Sequence, residues 1–199
     1  MGEAGRLCKE ATILFRSAHC AVALAMLFGV LAVPLEGADA AMALSLTSSA
    51  FTPGAAIPSR YTCEGQNISP PLAWDGVPAG TKSLALIIDD PDAPDPKAPK
   101  RVWVHWILYN LPTDSRGLAE NAGRAGLPAG ASQGLTDAKQ TSYGGPCPPI
   151  GRHRYFHKLY ALDSALDLKQ ATKTELEAAM KGHVLAQAEL IGTYQRGDR

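Results

Sequence analysis

The sequence has no excess of charge of either sign, since its 199 residues contain 19 Lys and Arg and 19 Asp and Glu. Such a balanced chain has no strong overall field to attract nucleic acid or an acidic membrane. The sequence also lacks a Gly-x-Ser-x-Gly elbow, a Walker-type phosphate loop and a recognisable spacing of metal ligands. We therefore expect no nucleic-acid partner, no metal, no cofactor and no enzymatic activity, and any charged ligand must be bound by local side chains.

A long uninterrupted hydrophobic run is also missing. The apolar stretch from Cys20 to Leu35 contains a glycine and a proline and is shorter than the roughly 20 apolar residues that cross a bilayer. Three basic residues precede it, namely Arg6, Lys9 and Arg16. Ala38-Asp39-Ala40 then supplies small residues at the spacing of a cleavage site. Residues 1–40 are therefore predicted to be a secretory signal peptide, with a retained membrane anchor as the alternative.

Cleavage after Ala40 leaves residues 41–199 as one domain in the periplasm or the extracellular medium, with no integral membrane segment. Cysteine is scarce, and two of the 4 cysteines, at positions 8 and 20, are lost with the signal peptide. The remaining pair, Cys63 and Cys147, enters an oxidising compartment, where paired cysteines form disulfides. We expect a disulfide between them, and two buried, unpaired thiols are the alternative.

Short apolar or alternating runs recur between clusters of Gly and Pro, which is typical of an antiparallel β domain. The predicted strands are Met42–Thr47, Leu72–Trp74, Ser83–Asp89, Val102–Leu111 and Tyr155–Leu162. The run from Leu84 to Ile88 is continuously apolar, so this strand is expected to be covered on both faces. Its end delivers Asp89 and Asp90 to a surface. The predicted fold class is mostly β with peripheral helix.

Simple alternation along Val102–Leu111 predicts which side chains share a face of that strand. One face then carries Trp103, His105, Ile107 and Tyr109. The other face carries Val104, Trp106, Leu108 and Asn110. From Thr113 to Ile150 the sequence has no clear periodicity, which predicts a long functional or surface loop.

A helix is predicted near the carboxyl end of the chain. Thr172-x-x-Glu175 has the form of a capping box. Apolar residues follow at roughly helical spacing, namely Leu176, Met180, Val184, Ala188 and Ile191. We expect one helix through these residues, broken or bent near Gly182.

Acidic and imidazole side chains concentrate in three short segments. Asp90-Pro91-Asp92-Ala93-Pro94 is a rigid acidic turn, because each proline restricts its own φ and the residue before it. His105 lies on a predicted strand, and His153-Arg154-Tyr155 begins another after a wall rich in Gly and Pro, in which Gly145 permits close backbone approach. These segments predict an anion-binding pocket. An exposed Asp-Pro turn and a core histidine are the alternatives.

The same segments resemble motifs of the phosphatidylethanolamine-binding protein family. The matching motifs are Asp90–Pro94, Trp103-Val104-His105-Trp106 and Gly145–Tyr155. Tyr61–Pro71 and Leu159–Asp163 are similar to the bacterial branch, often called Raf kinase inhibitor-like. The resemblance covers nearly all of residues 42–195, and the motifs occur in the expected order.

This resemblance implies a large antiparallel sheet packed with a smaller one, flanking helices, and a shallow pocket for phosphate, phosphate esters, phospholipid head groups or other small anions. The ligand-binding residues implied are Asp90, Asp92, Pro94, Trp103, His105, Gly145, Pro146, His153 and Tyr155. No catalytic residue, metal or cofactor is implied. Tyr194 is expected to close one side of the pocket. His157 is either a third pocket imidazole or a surface or core residue.

Two carboxylates would repel a bound phosphate, so Asp90 and Asp92 are expected to orient donors rather than contact the ligand. An Asp that accepts a hydrogen bond from an imidazole makes His105 or His153 a better cationic donor. Affinity is then expected to increase as the pH falls through roughly 7.5 to 5.5. Arg154 is expected to pair with Asp90 or Asp92 outside the pocket.

The function predicted from these residues and the resemblance is that of an exported protein that binds a small anionic ligand. Inhibition of a protease, or modulation of another protein partner through the same surface, is the alternative. A hydrolase that uses His105 or His153 as a base and Asp90 as its orienter is a further alternative.

Overall fold

The computed structural model describes residues 43–197, and the predicted signal peptide therefore lies outside the described residues. Within this range the strands are β1 (Ser45–Thr47), β2 (Leu72–Asp75), β3 (Ser83–Asp90), β4 (Trp103–Leu111), β5 (Gly117–Leu118), β6 (Ser132–Gln133), β7 (His153–Leu162) and β8 (Val184–Tyr194). The helices are α1 (Ala122–Ala125), α2 (Lys173–Met180) and a 3-10 turn at Ser59–Tyr61.

The strands form two antiparallel sheets. The larger sheet has five strands in the order β6-β4-β3-β7-β8, and the smaller has three in the order β1-β2-β5. The predicted fold class, a large antiparallel sheet with a smaller sheet and peripheral helices, is confirmed. Because β3 is central and antiparallel to β4 and β7, its carboxyl end meets the amino ends of both neighbours at one edge of the sheet.

Apolar side chains cover both faces of the large sheet, as the unbroken apolar run of β3 predicted. One face packs on the small sheet through residues such as Leu86, Trp106 and Trp74. The other face packs on α2 through residues such as Ile87 and Leu176. All eight residues of β3 are buried. This double layer gives the site at the sheet edge a rigid support.

The predicted helix of residues 172–191 is wrong beyond its first two turns. The capping box at Thr172 and Glu175 is present and begins α2, but the helix ends at Met180. Gly182 has a φ of 83°, a left-handed conformation that reverses the chain. The following β8 pairs with β7 over its length, and its buried positions from Ala188 onward alternate with a period of two. Apolar residues four positions apart fit both the helical period of 3.6 and the strand period of two. The pairing with β7 makes this segment a strand.

The predicted alternation of β4 is also wrong at His105. In the pairing with β3, Ile88 lies opposite Trp106 and Asp89 lies opposite Val104, so His105 is an extra residue in the strand. Such a bulge places two successive side chains on the same face. His105 therefore lies on the face of Trp106 and not on the face of Ile107, which packs toward α2.

The long segment 113–150 is not a single loop, since it contains the short elements β5, α1 and β6. These elements are too short to leave a periodic signal in the sequence. β6 extends the large sheet by pairing with β4 through Leu108 and Tyr109. The remainder of the segment leads back to the sheet edge, where residues 144–149 form one wall of a cavity.

Candidate functional site

A cavity of about 480 Å³ opens at the sheet edge where β3 ends and β4 and β7 begin. Seven of the nine ligand-binding residues expected from the sequence line it, namely Asp90, Pro94, Trp103, His105, Gly145, His153 and Tyr155. Asp92 and Pro146 do not line it. The fold thus brings together segments that are about 60 residues apart in the chain.

His105 lines the cavity, and one of its two ring nitrogens has no partner among the described residues. Its Nδ1 lies 2.7 Å from the carbonyl oxygen of Gly144. Since a carbonyl only accepts hydrogen bonds, Nδ1 carries a proton and the neutral ring keeps a lone pair on Nε2. This Nε2 is buried and has no hydrogen-bond partner among the described residues. Burial lowers the pKa of His105 below its usual 6.5, against the opposing effect of the Gly144 carbonyl.

Tyr155 contributes a second polar atom without a partner. Its ring contacts the ring of His105 edge to face, with centroids 5.2 Å apart. The hydroxyl is buried and makes no hydrogen bond to any residue in 43–197. Burial, together with the charge of Asp90, raises the pKa of this hydroxyl, so it remains protonated and able to donate. Buried polar atoms are rarely left unpaired in proteins, and two such atoms on residues whose rings are in contact point to a ligand.

Asp90 and His153 form a buried pair that faces inward rather than toward a ligand. Nδ1 of His153 lies 2.7 Å from Oδ2 of Asp90, and Nε2 lies 3.0 Å from the carbonyl oxygen of Ile150. Both ring nitrogens of His153 are thus engaged by oxygen atoms of the protein. Oδ1 of Asp90 accepts from the backbone N–H of Asp92. His153 therefore has no ring N–H left for a ligand.

Asp92 is directed away from the cavity toward Arg154. The guanidinium donates to both carboxylate oxygens at 2.9 and 2.7 Å, and the backbone N–H of Arg154 donates at 2.9 Å. The hydrogen bond from the Arg154 side chain is the main cause that lowers the pKa of Asp92. This pair matches the expected position of Arg154 outside the pocket.

These contacts change the expected role of the acids. An Asp does orient an imidazole, as the sequence suggested, but it orients His153, whose other nitrogen is bonded to Ile150. The ring of His105 is oriented by the Gly144 carbonyl instead. Asp89, the other acid at the end of β3, is buried on the opposite face, where Lys158 and Lys173 pair with it.

Residues 144–149 form a wall that contacts the loop near Tyr61. A Cβ on Gly145 would lie 2.4 Å from the carbonyl oxygen of Tyr61, so only glycine fits there. This confirms the predicted close backbone approach. The backbone N–H of Gly145 donates to Oδ1 of Asn67 at 2.7 Å. The carbonyl of Pro146 accepts a hydrogen bond from the N–H of Cys63. Pro146 therefore connects this segment to the loop near Tyr61 and does not line the cavity.

Cys63 and Cys147 form a disulfide, with their Cα atoms 5.4 Å apart. Both residues line the cavity. The disulfide therefore joins the Gly-Pro wall to the loop that follows the 3-10 turn.

His157 and Tyr194 lie outside the cavity lining. The ring of His157 is buried against Phe51, with Nδ1 toward the Tyr155 carbonyl. Burial lowers the pKa of His157 to about 4. Of the two alternatives for His157, the structure favours the core residue. The hydroxyl of Tyr194 donates to Glu64, so the loose expectation that Tyr194 closes the pocket is wrong.

Several polar residues that line the cavity were not predicted from the sequence, namely Asn67, Arg101, Thr136 and Gln140. Asn67 lies within the Tyr61–Pro71 segment, and the structure gives it a left-handed φ of 55°, which asparagine tolerates better than most residues. Thr136 and Gln140 come from a segment without periodicity, so nothing in their sequence context marked them. Arg101 lies two residues before β4, and nothing in its sequence context marked it.

Among residues 43–197, no group of three or more His, Cys, Asp or Glu side chains is arranged to hold a metal ion. The helices in the same range are all too short or too polar to cross a membrane.

The two sheets and the cavity at the edge of the larger one define a β protein with a candidate binding site. A sequence model of the phosphatidylethanolamine-binding protein family matches residues 47–195. The chain belongs to the phosphatidylethanolamine-binding protein family. The resemblance seen in the sequence is therefore confirmed.

Relatives support this assignment and its bacterial branch. A UPF0098 protein of Methanothermobacter thermautotrophicus is 56% identical over 156 residues, which are 77% of this chain and 100% of that protein. A solved phosphatidylethanolamine-binding protein homologue of Chlamydia trachomatis is 46% identical, with a TM-score of 0.70 over 77% of this chain and 98% of that chain. E. coli YbcL, described as a member of the mammalian family, is 32% identical with a TM-score of 0.70, over 77% and 99% of the two chains.

Proposed function

We propose that this protein is an exported binding protein whose cavity holds phosphate, a phosphate ester or a phospholipid head group. The observation that carries the proposal is a pair of buried, unpartnered polar atoms on two residues that line the cavity, Nε2 of His105 and the hydroxyl of Tyr155. Membership of a family named for binding a phospholipid supports the same class of ligand. The cavity volume of about 480 Å³ is ample for a small ester.

The chemistry of the two atoms defines how an anion is held. The Tyr155 hydroxyl donates directly to an anionic oxygen. The neutral Nε2 of His105 can only accept, so one proton must lie between it and the ligand, supplied either by imidazolium or by a protonated phosphate oxygen. Hydrogen bonds in which one partner is charged are the strong ones, especially in a buried site. A phosphate monoester fits because it can bring that proton itself.

Binding is favoured over catalysis by the state of the groups that line the cavity. Both cysteines there are joined in the disulfide, and the hydroxyl of Thr136 donates to the carbonyl of Gln140 at 2.9 Å. A covalent mechanism needs a nucleophile next to a base, and neither arrangement provides one. The Tyr155 hydroxyl lies near His105, but its raised pKa keeps it a neutral donor and a poor nucleophile. Incubation with p-nitrophenyl phosphate is expected to give no turnover above a His105→Ala control.

The main test measures the affinity of the purified domain for ethyl phosphate by calorimetric titration near pH 6. His105→Ala is expected to weaken binding more than tenfold, and Tyr155→Phe by about tenfold, because each removes a hydrogen bond to a charged group, worth roughly 1.5–3 kcal/mol. Tyr155→Phe keeps the ring and removes only the hydroxyl.

His183→Ala is the matched control, since this exposed histidine pairs with Asp163 on the surface and is not part of the cavity. It is expected to leave the affinity unchanged. Unaltered binding by both His105→Ala and Tyr155→Phe would show that ethyl phosphate binds elsewhere. Circular dichroism and a thermal melt of each variant check that the fold is retained.

Export is proposed from residues 1–40, whose basic, apolar and small-residue segments have the order of a secretory signal. The Cys63–Cys147 pair supports it, because disulfides persist in the periplasm and in secreted proteins and are rare in a reducing cytosol. The family match begins at residue 47, so the proposed signal peptide of residues 1–40 lies outside it.

A further inference from the structure

Asn67 brings to the cavity wall a polar side chain that the proposed binding mode does not use. It lies in the loop that follows the 3-10 turn, and it lines the cavity. Its Oδ1 accepts a hydrogen bond of 2.7 Å from the backbone N–H of Gly145. Since a backbone N–H only donates, this contact identifies the bonded atom as the amide oxygen, and the other terminal atom is therefore the NH₂ group.

The NH₂ group of Asn67 is unpaired and accessible. Among residues 43–197, the contact with Gly145 is the side chain's one hydrogen bond, so the NH₂ group has no partner there. Nε2 of His105 and the hydroxyl of Tyr155 are fully buried, whereas this NH₂ group keeps accessible surface. Because Asn67 lines the cavity, its two N–H donors remain for a ligand.

The amide of Asn67 is held in position by the segment on which it packs. A Cβ on Gly145 would lie 2.7 Å from Oδ1 of Asn67, so the close approach of the two segments requires glycine. The disulfide between Cys63 and Cys147 links the same two segments covalently. A side chain that is ordered before binding loses little further conformational entropy when it contacts a ligand.

A neutral donor suits the charges around it. Among the described residues of the lining, Asp90 is the carboxylate, and both of its oxygens already accept hydrogen bonds, from His153 and from the backbone of Asp92. The NH₂ group of Asn67 is therefore not needed to satisfy this acid. A hydrogen bond from an amide to a phosphate oxygen is charge-assisted and stronger than one between neutral groups. Because the amide itself is uncharged, it accepts esters of charged and uncharged alcohols alike.

We propose that the NH₂ group of Asn67 is a third ligand contact of the cavity and donates to a terminal oxygen of a bound phosphate ester. The inference rests on the proposed function, because it takes His105 and Tyr155 as the other two contacts. Phosphate monoesters and diesters both have more than one terminal oxygen, so one can accept from Tyr155 and another from Asn67. The loop that carries Asn67 then recognises the ligand as well as supporting the wall.

Asn67→Asp separates a ligand contact from a structural role. The carboxylate keeps an oxygen that accepts from Gly145 and replaces the NH₂ group by an acceptor of nearly the same size. Calorimetric titration with ethyl phosphate near pH 6 is expected to show a loss of affinity of roughly tenfold or more, because a charge-assisted donor is lost. An affinity equal to that of the wild type would overturn the proposal. Circular dichroism and a thermal melt check that the variant is folded.

Gln66→Glu is the matched control for the added negative charge. Gln66 directly precedes Asn67, is exposed and does not line the cavity. This variant is expected to change the affinity by less than about twofold, because solvent and salt screen an exposed charge. An equal loss of affinity in both variants would show that net charge, and not a contact with Asn67, causes the effect, and would also overturn the proposal.

Nuclear magnetic resonance tests the contact in the unsubstituted protein. The side-chain NH₂ signals of Asn67, identified by their absence from Asn67→Asp, are expected to move downfield when ethyl phosphate saturates the protein, because a hydrogen bond to an anionic oxygen deshields the proton. The NH₂ signals of Gln66 are the internal control and are expected to stay in place. Saturation without a shift of the Asn67 signals would contradict the contact.

The two proposals fail in different ways. If ethyl phosphate does not bind to the wild type, the proposed function fails and the Asn67 contact fails with it. If ethyl phosphate binds, and His105→Ala weakens it while Asn67→Asp does not, only the Asn67 contact fails.

Discussion

His105 owes its place in the cavity to one extra residue in β4. The bulge turns the imidazole toward Tyr155, and the Gly144 carbonyl then determines which ring nitrogen faces inward. Sequence alone identified His105 as a candidate but assigned it to the wrong face, because a bulge leaves no sign in an alternating pattern. The roles of Asp90 and Asp92 also depended on which donors the fold brought to them.

The protonation state of His105 leads us to expect that the affinity for ethyl phosphate depends on pH. Burial lowers its pKa below 6.5 in the free protein, and a phosphate monoester loses its second proton at a pH of about 6. Above a pH of about 7 neither partner carries the proton that the proposed complex needs. The dissociation constant for ethyl phosphate is therefore expected to rise by up to about tenfold per pH unit above that point, and to fall on acidification.

His105→Gln separates this proton from other effects of pH. Its amide donates an N–H without titrating, so binding is expected to be weaker than in the wild type near pH 6 and not to weaken further between pH 7 and 8. Titrations of both proteins over this range give the comparison. A wild-type dissociation constant that stays constant from pH 6 to 8 would contradict the shared proton.

At the scale of elements, the cavity depends on how the segments around the sheet edge are joined. The disulfide connects two segments that are 84 residues apart in the chain, and both of its cysteines line the cavity. The sequence predicted this pair and the strands β3, β4 and β7. It misassigned β8, because residues 184–194 were read with a helical period and the partner strand β7 decides their conformation.

The double variant Cys63→Ser/Cys147→Ser is expected to lower the free energy of unfolding by about 4 kcal/mol, because a long covalent loop no longer restricts the unfolded chain. Its affinity for ethyl phosphate is expected to fall as well, since the Gly-Pro wall loses its covalent link to the loop near Tyr61. Chemical denaturation and calorimetry measure the two effects. Adding a reductant is expected to lower both the free energy of unfolding and the affinity of the wild type, and to leave both quantities unchanged in the double variant. A reductant effect on both proteins would point to another cause.

At the scale of the whole molecule, the family domain follows an amino-terminal segment that the family match does not include. Export would bring the cavity into an oxidising compartment and into contact with ligands outside the cytosol. The nearly neutral charge of the chain means that the cavity and its rim, rather than a global field, select the ligand.

Expression of the full chain in a bacterium tests export. The mature protein recovered from the periplasm or the medium is expected to begin at Ala41, as measured by intact-mass spectrometry. Replacement of Ala40 by arginine is expected to block cleavage, because signal peptidase sites require small residues. An uncleaved chain that remains in the membrane would support the retained anchor, and one found only in the cytosol would contradict export.

The sequence by itself determined the family, the β class, the paired cysteines and the three segments that meet at the cavity, because these depend on local composition, periodicity and motif order. Only the tertiary structure decided which face His105 occupies, that His153 is satisfied internally, and that Arg101 and Asn67 join the lining. The physical reason is that a hydrogen-bond partner or a strand register is set by residues distant in the chain. In the cavity, the tertiary structure bonds both ring nitrogens of His153 to protein oxygens and leaves Nε2 of His105 and the hydroxyl of Tyr155 without a partner among the described residues.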